Sequence, residues 1–433
     1  MRSRSSFHIS NLKNFKRALG EWSKKYAKVI WLDGNGHHQN HGSYDLILAI
    51  DEQTDKSNNT LKSTAEIHQF IDKEQDWLFG YFSYDVKNEL ENLVSENFDG
   101  LGFPDIHFFQ PSKIVTIRGN EVGFLYIDAV VDQVDADFSN ITALTNLLNP
   151  KKASHDAVKI KMRIHKDAYF EKAQKLLEHI HRGDVYEANF CQEFYAEDTS
   201  IDPWETYKRL NAISEPPFAA FMKLDDKFLL CASPERYLRK EGKTIISQPI
   251  KGTAPRGKTY KEDQTIKIRL ASDEKERAEN IMITDLVRND LSKSAQKGTV
   301  EVKELCKVYT YKQVHQMIST VVCQVSKKKN PLEFILETFP MGSMTGAPKI
   351  SAMKIIEELE ETKRGLYSGA VGYFDPQGNF DFNVVIRSIL YNAAAKYVSF
   401  SVGSAITAKS DPEKEYQECL LKAKAMRSVL ETS

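Results

Sequence analysis

Pro249 and Pro255 bracket the segment 247–257, SQPIKGTAPRG, and exclude helix across it. The backbone there is held extended, so Lys251, lodged between β-formers and a Gly-Thr step, is directed by a strand and not free to swing through solvent. Just upstream, residues 228–237 read FLLCASPERY, an apolar strand that ends at Ser-Pro and then presents Glu235 and Arg236. A strand delivering a carboxylic acid, a short hairpin and a second strand delivering an amine are a way to set an acid and a nucleophile over one pocket. Taken alone, a lysine in a Lys-Gly-Thr triplet is better explained by a place on the surface, so the remainder of the chain has to decide.

A chain of 433 residues has room for two or three domains and a large core. Its 59 Lys plus Arg nearly cancel 60 Asp plus Glu, so no net field recruits nucleic acid or an acidic membrane. Partners must be recognised at specific sites. No stretch reaches membrane-spanning length, and the basic start MRSRSSFHIS has neither apolar core nor cleavage site, which predicts a cytoplasmic protein. The five cysteines, Cys191, Cys231, Cys306, Cys323 and Cys419, form no CxxC pair and are expected to be reduced packing residues.

Residues 1–135 alternate short helical and strand patterns and are expected to form an N-terminal domain that contributes to a shared sandwich. His37, His38 and His41 lie among glycines and asparagines, which favours a polar loop over a metal site. The apolar aromatic run 77–85 around Gly80 reads as a core strand approached closely by another backbone. Polar composition marks 136–158 as a linker, leaving 159–433 as the second domain. A helix then runs to Arg182 and stops at Gly183, and a strand follows from GDVYEANF.

Residues 273–291, DEKERAENIMITDLVRNDL, carry helix formers throughout, and beyond Glu279 the apolar side chains point nearly all round, predicting a buried helix. Glu276 and Glu279 share one face of it. Two buried carboxylates side by side need a cation or a proton, and a divalent cation is weighed here against a solvated face. A second Glu-x-x-Glu, Glu415 and Glu418, lies with Lys422 along one edge of the C-terminal helix's apolar stripe. A surface Glu418–Lys422 pair explains part of this, but two pairs of glutamates also supply an oxygen-rich site for a hard ion, and suggest Mg2+. Between these helices, FPMGSMTGAPK at 339–349 feeds a helix start whose N–H groups, with Thr345, can hold a carboxylate. From 367 to 406 the sequence reads as an antiparallel meander, in which Arg387 interrupts an apolar strand and is either paired inside or pointed at an anion.

SPERYL, PIKGTAPRG, DEKERAENIMITDLVRNDL, GSMTGAPK, the Tyr-x-Gly-Ala-Val-Gly-Tyr strand, the Ile-Arg-Ser strand and DPEKEYQECLLKA, in this order, resemble the chorismate-utilising enzymes of the anthranilate synthase type. Within that family the lysine of PIKGT is similar to the aminodeoxychorismate synthase component I branch, where other branches usually carry a small residue. The resemblance implies an α+β fold, an antiparallel β-sandwich flanked by helices. It implies Mg2+ held chiefly by Glu279 and Glu418 with Glu276 and Glu415 in support, and gripping the ring carboxylate of chorismate. Tyr373 or Tyr367, Arg387 and Lys422 would hold the enolpyruvyl carboxylate, with Gly252, Thr253, Thr345 and Gly403 lining the site. Glu235 would be the general acid and Lys251, neutralised by burial and a nearby Mg2+, the nucleophile.

The implied activity is amination of chorismate at C4 for 4-aminobenzoate and folate synthesis. No glutaminase Cys-His constellation is visible, so a separate glutaminase subunit is the implied source of ammonia. An anthranilate synthase component is the nearest alternative, an isochorismate or salicylate synthase or a non-catalytic chorismate binder the more distant ones. Two departures stand out: Glu187 where related enzymes of the aminating branches have glutamine and those of the water-adding branches a general-base lysine, and Ala405 at a usual glycine.

Overall fold

Val29 and Trp31 point one way along their strand and Ile30 the other, yet all three are buried, so the sheet that holds them is covered on both faces. The neighbouring strand repeats this, with Leu48 and Ile50 in one apolar core and Ile47 and Ala49 in another. A computed structural model of the chain describes residues 2–37, 44–52, 60–147, 157–312 and 314–432. His38, His41 and the 148–156 part of the expected linker lie outside the described residues.

Two antiparallel sheets carry the architecture. In spatial order the first contains Arg2–His8, Glu121–Ile127, Lys113–Arg118, Leu46–Asp51, Lys28–Asp33, Phe218–Leu224, Lys227–Ser233, Ser388–Asn392, Tyr397–Thr407, Glu187–Ala196 and Gly346–Ala347, with Lys161–Met162 beside Glu187–Ala196. The second contains Ile250–Pro255, Val314–Gln324, Thr244–Gln248, Arg236–Glu241, Phe380–Asn383, Ala370–Phe374, Leu78–Phe82, Ile106–Phe109 and Thr60–Leu61, with Glu301–Thr310 also on Val314–Gln324. Strands from before and after the expected linker interleave: Lys28–Asp33 pairs with Phe218–Leu224, and Leu78–Phe82 with Ala370–Phe374. A helix, Val134–Leu147, occupies much of the stretch between.

One core draws on both sheets, from Ile30, Met222 and Leu229 of the first to Phe79, Phe108 and Phe382 of the second. The other lies under helices on the far face of the first sheet, where Leu12–Ser23, Lys166–Arg182, Pro203–Ser214, Lys349–Leu359 and Pro412–Glu431 each lay an apolar stripe. The result is the expected α+β sandwich. No helix among the described residues is long and apolar enough to cross a membrane.

Two local expectations change. The 367–406 meander is divided, because Ala370–Phe374 and Phe380–Asn383 belong to the second sheet while Ser388–Asn392 and Tyr397–Thr407 belong to the first. Arg387 therefore sits at the passage between sheets, not within a strand. The helix Glu274–Ser292 is one-sided: Asn280, Ile283, Thr284, Val287 and Leu291 are buried, while Ile281 is exposed. It packs on Ile250–Pro255 and Val314–Gln324, and the Pro412–Glu431 helix packs on Tyr397–Thr407.

Candidate active site

Glu235 lies where the chain leaves Lys227–Ser233 in the first sheet and enters Arg236–Glu241 in the second. Pro234 ends the first strand, and the Ser233 hydroxyl accepts from Glu235 N–H at 3.2 Å, fixing the corner. The return passage is bound to it, since Val384 N–H donates to the Glu235 carbonyl and Ala232 N–H to that of Arg387. Ser343 Oγ, from the GSMTGAPK loop, donates to Glu235 Oε1 at 2.8 Å. Burial pushes the Glu235 carboxyl up to about 7, against the opposing pull of Ser343, Lys251 and Arg387.

Lys251 projects from the edge strand Ile250–Pro255, whose ladder with Val314–Gln324 shifts register between Ile250 and Thr253. Gly252 carries this irregularity at φ +98, and a Cβ there would stand 3.1 Å from Met317 Cβ and 3.2 Å from Glu276 Oε2. Lys251 Nζ donates to Glu187 Oε1 at 3.0 Å. Burial presses the amine's pKa down, but Glu187, Glu279 and Glu418 outweigh it and hold the amine above its usual range. Burial by itself is thus outweighed at Lys251 by the carboxylates around it, which leaves the expected neutralisation to the Mg2+ that those carboxylates would hold.

The two glutamate pairs begin in the first turns of their helices, where Asp273 and Asp411 cap the backbone and the N-terminal partial charge offsets acidic side chains. Burial and the facing Glu418 raise Glu276, and burial pushes Glu279 up to about 7 despite Lys251 and Lys275. Lys275 Nζ bridges the helices, 3.7 Å from Glu279 Oε1 and 3.5 Å from Glu415 Oε1. Glu415 accepts from the Ser404 hydroxyl. Burial works to raise Glu418, but Lys422, 2.8 Å away, holds its carboxyl below the usual range.

Among the described residues no three Asp, Glu, His or Cys side chains converge as a ready metal cage. Mg2+ needs only one or two carboxylates and keeps several waters. Glu279 Oε1, buried without a hydrogen-bond partner among the described residues, and the like charges crowding around it fit such an ion.

Arg387 faces the same space. Its φ of +51 is rare for a side-chain-bearing residue, and no hydrogen bond or ion pair to its guanidinium is found among the described residues. Burial lowers its pKa, with Glu235 and Glu418 the charges acting against that. Lys422 Nζ donates to Gly403 O at 2.8 Å, and a Cβ on Gly403 would stand 2.4 Å from Cys191 Sγ. Thr253 is exposed at the strand edge. Thr345 is fully buried, and its hydroxyl is spent on the carbonyls of Met341 and Gly342.

The two tyrosines part company. Tyr367 OH accepts from Cys191 Sγ at 3.8 Å, next to Gly403. Tyr373 packs at a tilt against Trp77 and Phe79 and lines a separate cleft of about 270 Å3 with Asp33, Arg118, Asp381 and Asn383, so the structure does not bring it to Lys251. Sequence reasoning missed Ser343, which had no signal beyond its place in the loop. It also missed Asn280, whose side-chain amide donates to the carbonyls of Lys251 and Met317 and ties the helix to the lysine strand.

Residues 26–428 match the family model described as chorismate binding enzyme. The chain is 33% identical over 379 residues to "Aminodeoxychorismate synthase component 1" of Bacillus subtilis, covering 86% of this chain and 80% of that one. It is 34% identical over 358 residues to "Anthranilate synthase component 1" of Thermus thermophilus, covering 81% and 77%. To "Probable aminodeoxychorismate synthase, chloroplastic" of Oryza sativa it is 35% identical over 408 residues, 84% of this chain but 45% of that protein. Among solved structures, anthranilate synthase component I from Streptococcus pneumoniae superposes with a TM-score of 0.72 at 23% identity, covering 99% of this chain and 92% of that one. The fold and the family model agree, and the chain belongs to the chorismate binding enzymes.

Proposed function

We propose that the chain aminates chorismate at C4, giving 4-amino-4-deoxychorismate for 4-aminobenzoate and folate synthesis. The observation that carries this is Lys251: a largely buried amine, acting on the charge of a buried acid, Glu235, whose pKa lies near neutrality. A site that only bound chorismate would need neither group.

The substrate is a dicarboxylate. Arg387, with no hydrogen bond or ion pair to its guanidinium among the described residues, is the natural seat for one carboxylate, assisted by Lys422. Glu279 and Glu418, supported by Glu276 and Glu415, would hold Mg2+, which when bound supplies fixed positive charge for the other carboxylate. Lys251, as the free amine, forms a bond to C2 while the ring double bonds shift and the C4–O bond breaks. Glu235 gives its proton to the departing oxygen, which leaves as water. Ammonia then bonds to C4, the double bonds return, the C2–N bond breaks and the new ammonium returns a proton to Glu235. The enolpyruvyl ether is untouched, so no pyruvate forms. The name component 1 in the Bacillus relative supports a separate glutaminase subunit as the source of ammonia.

Relatives named anthranilate synthase are as similar, which keeps that reaction as the second reading. Purified chain with chorismate, Mg2+ and ammonium, products read by mass, separates the two. A 4-amino product without pyruvate is expected; pyruvate with anthranilate would overturn the proposal.

A further inference from the structure

A strand at the end of a sheet has one neighbour to hold it, and the strand Ile250–Pro255 departs from regular pairing at the lysine itself. Ile250 pairs with Ile318 and Thr253 with Gln316, so Lys251 and Gly252 together face the single residue Met317. Such a bulge takes backbone groups out of the ladder and re-aims side chains. The direction of Lys251 is therefore set by whatever fixes the bulge.

One side chain meets both sides of it. Asn280, 1% exposed on the helix Glu274–Ser292, donates from Nδ2 to the Lys251 carbonyl at 3.1 Å and to the Met317 carbonyl at 3.0 Å. Its oxygen is held in turn. Ser319 Oγ and Cys306 Sγ both donate to Asn280 Oδ1, the thiol at 3.6 Å. Because Ser319 Oγ accepts from Cys306 N–H at 3.0 Å, its own proton is left for the amide, which fixes the end of Asn280 that is oxygen. Cys306 stands in a second bulge, where Leu305 and Cys306 face Ser319 alone and Cys306 takes φ +54. The strands on either side of Val314–Gln324 thus break register opposite Met317 and Ser319, and both breaks close on Asn280.

We infer that Asn280 is the positioning residue of Lys251: it fastens the bulge from which the lysine projects to the helix that bears Glu276 and Glu279, so that the amine is aimed at C2 of a substrate seated beside those glutamates. The inference rests on the amination reading. Asn280 spends its donors and its acceptor on the protein, so its contribution is orientation, where a displacement of about 1 Å costs about 100-fold in rate.

The test uses the full chain, Asn280→Ala and, as a milder break that leaves the glutamate helix unaltered, Ser319→Ala, which keeps the amide but removes a donor that orients it. With chorismate and Mg2+ but no ammonia, the reaction stops after the bond to Lys251 has formed, and the chain gains the mass of chorismate less one water. Rapid quenching and intact mass give the rate. Adduct formation, and kcat with ammonium, should fall by about 100-fold in Asn280→Ala and about tenfold in Ser319→Ala. KM for chorismate and the calorimetric Kd for Mg2+ should stay within about threefold. Loss of packing alone would displace the helix with its glutamates, and KM and Mg2+ affinity would then worsen along with the rate. Adduct formation at the unaltered rate in Asn280→Ala, or KM and Mg2+ affinity worsening in step with kcat, overturns the inference. Where Asn280→Ala does not fold, Ser319→Ala makes the same comparison by itself. Pyruvate released by the unaltered chain removes the amination reading instead. Asn280→Ala made in Lys251→Ala then decides the matter on whichever product forms: no loss beyond that of Lys251→Ala keeps Asn280 tied to the lysine, and a further loss severs it.

Discussion

Ser343 donates its hydroxyl to Glu235 over 2.8 Å, joining the glycine-rich loop to the acid at the corner between the sheets. This bond favours the charged carboxylate and so works against burial, which pushes the group up to about 7. Ser343→Ala removes that restraint. Because a general acid acts while protonated, kcat/KM at constant free ammonia should fall as pH rises through about 7, and in Ser343→Ala the fall should move to higher pH. A pH profile of both proteins checks this, and coincident profiles would count against Glu235 as the titrating acid.

Glu235→Gln should lower kcat by about 10²–10⁴-fold. Its stability should change in the opposite sense. A carboxyl raised in the fold stabilises fully below its unfolded pKa, and that contribution is lost as pH rises through about 7. Glutamine has no such loss, so the melting temperature of Glu235→Gln should gain on the unaltered chain between about pH 5 and pH 8. The gain corresponds to about 3 kcal/mol at most. Thermal melts at the two pH values check it; a gap that narrows with pH would contradict the burial of a neutral acid.

Mg2+ binding should release protons near neutrality, because Glu279 lies at about 7 and Glu276 above its usual range while the metal takes the carboxylate form. Calorimetry in two buffers of different ionisation enthalpy gives the number released. Glu279→Gln should abolish most of it and weaken metal-dependent chorismate binding. Equal release by both proteins would remove Glu279 from the metal site.

Gly252→Ala should destabilise the chain by more than about 1 kcal/mol, since the residue sits at φ +98 and its new methyl meets Met317. It should also slow turnover, as the displaced residue adjoins Lys251. Denaturant melts and steady-state rates measure the two losses, and a fully active, fully stable variant would deny the register shift its role in aiming the lysine.

Arg387→Ala should raise KM for chorismate. With no hydrogen bond or ion pair to its guanidinium among the described residues, the free chain should melt no lower for its loss. Chorismate at about a hundred times its Kd adds about 2.7 kcal/mol to a protein that binds it, and that increment should disappear in the variant. Melts with and without chorismate separate the two effects.

The chemistry-bearing residues were legible because their signals are local. Proline keeps 249–255 extended, Ser-Pro ends the strand before Glu235, and Asp273 and Asp411 mark helix starts that put each glutamate pair on one face. What lay hidden depends on distant pairing. The run FDFNVVIRSILY looks the same whether it stays in one sheet or crosses to another, and only its partners, Arg236–Glu241 and Lys227–Ser233, divide it. Tyr367 and Tyr373 belong to one short motif, yet the fold directs one to Cys191 and the other to the cleft by Trp77. The partner of Lys251 could not be read either, since Glu187 is remote in sequence and stands on a strand of the other sheet.

The interleaving of early and late strands has a consequence for anyone dissecting the gene. A fragment beginning at 159 would lose Lys28–Asp33 from beside Phe218–Leu224 and Leu78–Phe82 from beside Ala370–Phe374, baring two long apolar edges at once. Such a truncation should precipitate when expressed by itself and recover solubility only when residues 1–135 are supplied in trans.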